Sequence, residues 1–225
     1  MERNRHRIAL QLGDWASAFT GPSALRIRYA EGELIRQTGS YIAGVHLVTA
    51  GIVRESLGKS GGTAPGGGIE ILGPGDLMGI EILLGRGESL HMATSRAVSD
   101  VELSFLARDT FADAVDQDVA LRWQILHHLA ERHLSGRCTL SWNRRSAQER
   151  MCHLLLDLGR KLGEASDGGE VCLPGQLDLR AVAELLGISA SQARRVRSSL
   201  PSLHEQDRRL HFSIEALEEH LPVAP

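Results

Sequence analysis

Cysteine is scarce in this sequence: Cys138, Cys152 and Cys172 are the whole complement, and an odd one. The first ten residues, Met1 to Leu10, are rich in Arg and lack the apolar core of a secretory signal. Both features point to a reducing compartment, so a cytoplasmic location is expected. Long apolar runs are also missing. None approaches the roughly 18 residues that a membrane-spanning helix needs, and no membrane association is expected. The formal net charge is only -3, which excludes a protein that coats nucleic acid or anionic lipid by bulk charge. Any DNA contact must come from a local cluster. Absent too are a nucleophile elbow, a phosphate loop, a His-Glu-x-x-His spacing and paired carboxylates beside a glycine-rich cleft, so the sequence reads as no enzyme. What is present is an ordinary globular composition, 42% hydrophobic and 24% charged over 225 residues, long enough for two modest domains.

From Arg26 to Leu106 the chain reads as short β segments: Arg26 to Tyr29, Leu34 to Gln37, His46 to Val48, Ile52 to Ser56, Ile69 to Leu72, His91 to Ala97 and Glu102 to Leu106. Turn-prone separators such as Glu31-Gly32-Glu33 and Gly73-Pro74-Gly75-Asp76 divide them, at the spacing of a barrel or sandwich. The Gly- and Ser-rich stretch Gly58 to Gly68 reads as a mobile hairpin tip.

From Thr110 the pattern turns helical, with Val119, Trp123, Leu126, Ala130 and His133 recurring at three- and four-residue steps to about Leu140. One helix of that length reaches roughly 40 Å at 1.5 Å per residue, more than a small barrel covers. These five residues are therefore the expected seam of a homodimer, and Gly136 the expected bend or break. A further helix, Ser146 to Leu162, opens on the capping-box pattern Ser146-Ala147-Gln148-Glu149 and sets Met151, Leu154, Leu155 and Leu158 on one face.

The segment Leu179 to Val196 fits a helix-turn-helix. Asp178 is placed to cap the first helix, Ala183 is small where the second helix crosses, and Gly187 sits where the turn favours a left-handed backbone. Val182, Leu186, Ile188, Ala193 and Val196 fall in the shared core. Ser189 is the expected N-cap of the second helix, whose remaining residues Ala190, Ser191, Gln192, Arg194, Arg195, Arg197 and Ser198 become the expected DNA-contacting set. Arginine there reads guanine O6 and N7 or neutralises phosphate. Arg208-Arg209-Leu210-His211-Phe212 is an expected wing strand with basic residues for the DNA backbone.

Over about Ala24 to Leu221 the chain resembles the Crp/Fnr family, that of the cyclic-AMP receptor protein and the fumarate and nitrate reduction regulator. The likeness rests on Gly32-Glu33-Leu34-Ile35 with Gly39, Leu47-Val48 with Gly51-Ile52-Val53-Arg54, Gly75-Asp76-Leu77-Met78-Gly79, Arg96-Ala97 ahead of Val101-Glu102-Leu103, and the helix-turn-helix. It implies an α+β chain: a cyclic-nucleotide-binding-type β-roll sensor over 1–109, a dimerisation helix over 110–145 and a winged helix-turn-helix over 146–225. It also implies a homodimer on a palindromic duplex, with RNA polymerase and a small-molecule effector as further partners. The effector pocket is placed at Gly79, Glu81, Ser89, His91, Thr94 and Arg96.

Relatives that bind cyclic AMP neutralise its phosphate with an arginine where this chain has His91, and a neutral imidazole is a poor exchange for a bidentate guanidinium. Cyclic AMP is therefore not the expected effector. Iron-sulfur relatives carry an N-terminal cysteine cluster that is missing here. Haem stays open as a minor alternative through His91 with His127, His128, His133 or Cys138, as do redox action at Cys138 or Cys152, ligand-free action, and a sensor that does not act on DNA.

Overall fold

The computed structural model describes residues 18–57, 69–84, 90–142, 145–166 and 169–221, with only the backbone described at 57 and 84 and over 131–142. They fall into two compact units, Met1–Arg132 and His133–Pro225. The hairpin tip expected over Gly58 to Gly68 and the pocket residue Ser89 lie outside the described residues, as do the side chains of His133 and Cys138.

The first unit contains β1 (Leu25–Tyr29), β2 (Leu34–Arg36), β3 (Gly44–Ala50), β4 (Val53–Leu57), β5 (Ile69–Leu72), β6 (Leu77–Met78), β7 (Ala93–Ala97) and β8 (Val101–Ala107). They form two four-stranded sheets, ordered β1-β8-β3-β6 and β2-β7-β4-β5, with every pair antiparallel. Alternation directs this packing. In β7 the side chains of Ala93, Ser95 and Ala97 are buried while Arg96 is exposed, so one face turns inward and the other to solvent. All seven expected strands are there. The two-residue β6, hidden among turn-forming residues, is an addition.

The core of the roll holds Ile42, Val45, Leu47, Leu77 and Leu106, closed by Phe111, Leu121 and Ile125 from the helices that follow. Burying each such side chain contributes about 1.5–3 kcal/mol. Those helices are α1 (Arg108–Gln117) and α2 (Val119–Trp142), where the sequence pattern suggested one. The break is at Asp118. Its backbone is extended, and its carboxylate accepts from the amides of Ala120 at 2.8 Å and Leu121 at 3.1 Å, so it ends α1 and caps α2. No break falls at Gly136, which α2 runs through.

The second unit begins with α3 (Ala147–Leu162), whose capping box forms as expected: Ser146 Oγ accepts from the Glu149 amide while Glu149 accepts from the Ser146 amide at 2.8 Å. Its buried face is Met151, Cys152, Leu155, Leu156, Leu158 and Gly159; Leu154 sits at the flank. Next come β9 (Glu164–Ala165), β10 (Val171–Cys172), α4 (Leu179–Leu186), α5 (Ala190–Ser198), β11 (His204–Gln206), β12 (Arg209–Phe212) and α6 (Ile214–Glu219). The strands form one sheet ordered β11-β12-β10-β9. Gly159 is small because α3 lies on this sheet, where a Cβ would come 2.8 Å from the Phe212 ring.

Candidate nucleic-acid interface

Helix α4 starts at Asp178, whose carboxylate accepts from the Ala181 amide at 2.9 Å. It stops at Gly187, in the left-handed region at φ 63°, where only glycine sits without penalty. The Ile188 amide then donates to the Ala183 carbonyl at 3.0 Å, turning the chain into Ser189. Ser189 Oγ accepts from the Gln192 amide at 3.2 Å and opens α5. Val182, Ala183 and Leu186 meet Ala193 and Leu200 in a shared core, with Ile188 and Val196 partly covered.

With Ala193 fully buried, the helical period turns Ala190, Ser191, Arg194, Arg195 and Ser198 to solvent together. Gln192 and Arg197 lie at the margins. Ser191 Oγ is 3.0 Å from Ser189 Oγ, and Ser198 Oγ donates to the Arg194 carbonyl at 3.0 Å, so both hydroxyls lie against the helix and leave the two arginines as its projecting groups. Arg197 stands apart from them, 3.5 Å from Glu205 on β11. Beside the helix, β11 and β12 form a hairpin closed by Asp207 and Arg208, both left-handed (φ 51° and 62°), the primed turn that matches strand twist. Arg208 is exposed at this tip. Arg209, expected beside it as a DNA-backbone contact, instead donates to Glu164 at 2.6 Å and to the Leu173 carbonyl at 3.1 Å.

The first unit has a polar interior beside Gly79. Arg36 is 7% exposed, donates from Nε to Ser95 Oγ at 2.8 Å and pairs through Nη2 with Glu55, which also accepts from Ser95 at 2.9 Å. A Cβ on Gly79 would stand 3.3 Å from Arg36 Nη1, and the glycine is left-handed at φ 83°. Four buried atoms, Arg36 Nη1, His46 Nδ1, Glu81 Oε2 and His91 Nδ1, have no hydrogen-bond partner among the described residues. Desolvation, with the Arg36 charge and His91 adding to it, lowers His46 to about 4; desolvation and Arg36 lower His91 as well. Both imidazoles are neutral at pH 7.

Residues 26–118 match the cyclic nucleotide-binding domain family. No curated protein matches the sequence. Among solved structures the chain is similar to FixK2 from Bradyrhizobium japonicum, at 22% identity over 90% of this chain and 99% of that one, with a TM-score of 0.73. It is also similar to the c-di-GMP responsive global regulator CLP of Xanthomonas campestris, at 18% identity over 88% and 99% of the two chains and a TM-score of 0.68. A CRP/FNR-family transcriptional regulator from Thermus thermophilus matches at 18% identity over 87% and 97%, with a TM-score of 0.66. The chain has the CRP/FNR fold.

Within this CRP/FNR frame the expected pocket set is only partly assembled. Gly79, Glu81 and His91 face the polar interior with Arg36. Thr94 bonds Thr38 through their hydroxyls at 2.9 Å, and Arg96 points outward, donating to the Gly32 carbonyl at 3.3 Å. Sequence reading missed Arg36, His46, Glu55 and Ser95. A signal existed for one: Glu55 shares the inward parity of Val53, so a charge stands where alternation wants an apolar residue.

On α2, Val119, Trp123 and Leu126 are 59%, 68% and 50% exposed and Ala130 is exposed, whereas Leu121 and Ile125 are buried against the roll. His127 is exposed and His128, its neighbour, is buried. Cys152 is fully buried and burial pushes its thiol up to about 11, which removes it from the reactive thiols.

Proposed function

We propose that this chain is a transcription regulator that acts as a homodimer, inserts α5 into the major groove of a palindromic duplex, and is gated by a small molecule other than cyclic AMP held in the β-roll. The observation that carries the reading is the division of α5: Ala193 is fully buried, and Arg194 and Arg195 project from the opposite side beside the small residues Ala190, Ser191 and Ser198. A helix with a flat, small-residue face and two long bidentate donors is shaped to enter a groove and read base edges. The exposed tip residue Arg208 adds a phosphate contact.

Dimerisation follows from α2. Val119, Trp123 and Leu126 present large apolar surface on one side of a helix whose other side is already buried, and a second copy covers it by two-fold symmetry. The effector reading is supported by the unpaired buried atoms of Arg36, His46, Glu81 and His91, because buried polar groups are ordinarily satisfied. Neutral His91 in place of a permanent cation disfavours a cyclic phosphate, while Arg36 Nη1 suits one carboxylate or carbonyl oxygen. Such a regulator works in the cytoplasm with RNA polymerase as its partner and catalyses no reaction. No described helix is long and apolar enough to cross a membrane. Selection of duplexes from a random pool by the purified protein tests the reading: recovery of a two-fold symmetric site supports it, and recovery of no preferred sequence, with or without cell extract as effector source, refutes it.

A further inference from the structure

The sheet of the second unit brings two histidines and a carboxylate together. His204 on β11 stands directly opposite His211 on β12 in the antiparallel register, and residues so placed carry their side chains to the same face. Leu210 and Phe212 occupy the core face of β12 and are fully buried, so His211 between them belongs to the other face. The two rings stack there, with centroids 5.3 Å apart and planes 16° from parallel. Glu170 joins them from the segment before β10. Its carbonyl accepts from the Ser166 amide at 2.8 Å, and its carboxylate comes to 3.7 Å from His204 Nε2. One donor atom each from Glu170, His204 and His211 lie within 4.8 Å of one another. Cys172 Sγ, 3.4 Å from His211 Nε2, is on the far side of that ring and outside the cluster.

The separations are those of a metal site close to assembly. Around a tetrahedral ion with nitrogen and oxygen donors at about 2.0–2.2 Å, neighbouring donors are roughly 3.3–3.6 Å apart. The 3.7 Å between Glu170 and His204 is close to one edge of such a tetrahedron. The third donor has to close by at most about 1.5 Å. The side chains of Glu170 and His204, 32% and 46% exposed, have the room to do so by small rotations. An ion pair accounts for Glu170 beside His204, but not for a second imidazole whose donor atom reaches the same carboxylate.

We propose that Glu170, His204 and His211 bind one divalent transition-metal ion of the zinc class, with water in the fourth position, tying the β11–β12 hairpin to the segment before β10. The imidazoles coordinate through nitrogen lone pairs and the carboxylate through an ionised oxygen, so protons leave to solvent as the ion enters. Two nitrogens and one carboxylate suit zinc, cobalt or nickel; magnesium and calcium, which take oxygen donors, are disfavoured. This inference does not depend on the DNA-binding reading.

The test uses the full chain stripped with a chelator, titrated with zinc by calorimetry and with cobalt(II) by absorption. The expected result is one saturable site per chain at micromolar zinc, undisturbed by magnesium, and a cobalt spectrum with no thiolate-to-cobalt charge-transfer band, since no sulfur belongs to the ligand set. Glu170→Gln, His204→Asn and His211→Asn should each weaken zinc binding at least about tenfold, the lower bound for removing even an outer-shell partner of a metal site. His204 is exposed and Glu170 partly so, and these two variants keep the test valid should His211→Asn fail to fold. Absence of saturable binding at micromolar zinc, which would leave the cluster an ion pair only, unchanged affinity in folded His204→Asn or Glu170→Gln, or a sulfur charge-transfer band overturns the proposal.

Discussion

Arg150 donates from Nη1 to the carbonyl of Leu186 at 3.2 Å, fastening α3 to the last turn of the first helix of the helix-turn-helix. That carbonyl is one of the C-terminal groups a helix cannot satisfy within itself. Arg150→Met should therefore destabilise the second unit by about 1–2 kcal/mol, as expected for a partly buried hydrogen bond from a charged donor. Chemical denaturation followed by circular dichroism measures it. Unchanged stability would mean that the bond contributes nothing.

Acidification should destabilise the first unit through its histidines. His46 has a folded value of about 4 against an ordinary 6.5, caused first by desolvation, then by Arg36 and His91. Between those values the unfolded chain takes up a proton that the folded chain refuses. Stability is thus complete above pH 6.5 and falls as the pH drops towards 4, by about 3 kcal/mol for this residue. His91 is shifted in the same direction. Thermal unfolding measured between pH 7 and pH 4.5 should show a steeper decline for the parent chain than for His46→Gln. Equal slopes would contradict the assignment.

Much of this arrangement was legible in the sequence because it is local. Asp178, Gly187 and Ser189 act within one or two turns, through cap hydrogen bonds and a left-handed φ, and each stands where the spacing put it. The strands of the roll were legible through alternation. What was not legible depends on partners distant in the chain. Asp118 breaks a helical pattern that is continuous on either side, and only its two amide bonds reveal it as a cap. Arg36 becomes an interior group because Glu55 and Ser95, on other strands, meet it. The pairing of His211 with His204 exists only once the register is set.

On the proposed pocket, cyclic AMP should not bind saturably at micromolar concentration, since its phosphate would face His91, which burial and Arg36 hold neutral. Calorimetry decides this. A dissociation constant near 1 μM, about 8 kcal/mol, would mean that Arg36 supplies the missing charge.

Association through α2 predicts that Leu126→Glu combined with Trp123→Glu yields monomers in sedimentation at concentrations where the parent chain is a dimer. Both residues are at least half exposed in the single chain, at 50% and 68%, so the folded monomer should survive the change. A parent chain that sediments as a monomer, or a double variant that remains dimeric, contradicts it.

The central claim is that α5 reads DNA, and Arg194 and Arg195 are the residues that project from it. The most direct measurement is fluorescence anisotropy of a selected duplex with the parent chain, Arg194→Ala and Arg195→Ala, over a range of salt concentrations and with each base pair of the half-site exchanged in turn. A base-reading arginine should cost about 1–3 kcal/mol when removed and abolish preference at one base position. Arg208→Ala at the wing tip should weaken every sequence alike and reduce the salt slope by about 1. If Arg194→Ala and Arg195→Ala leave both affinity and base preference unchanged, α5 is not a recognition helix and the proposed function fails.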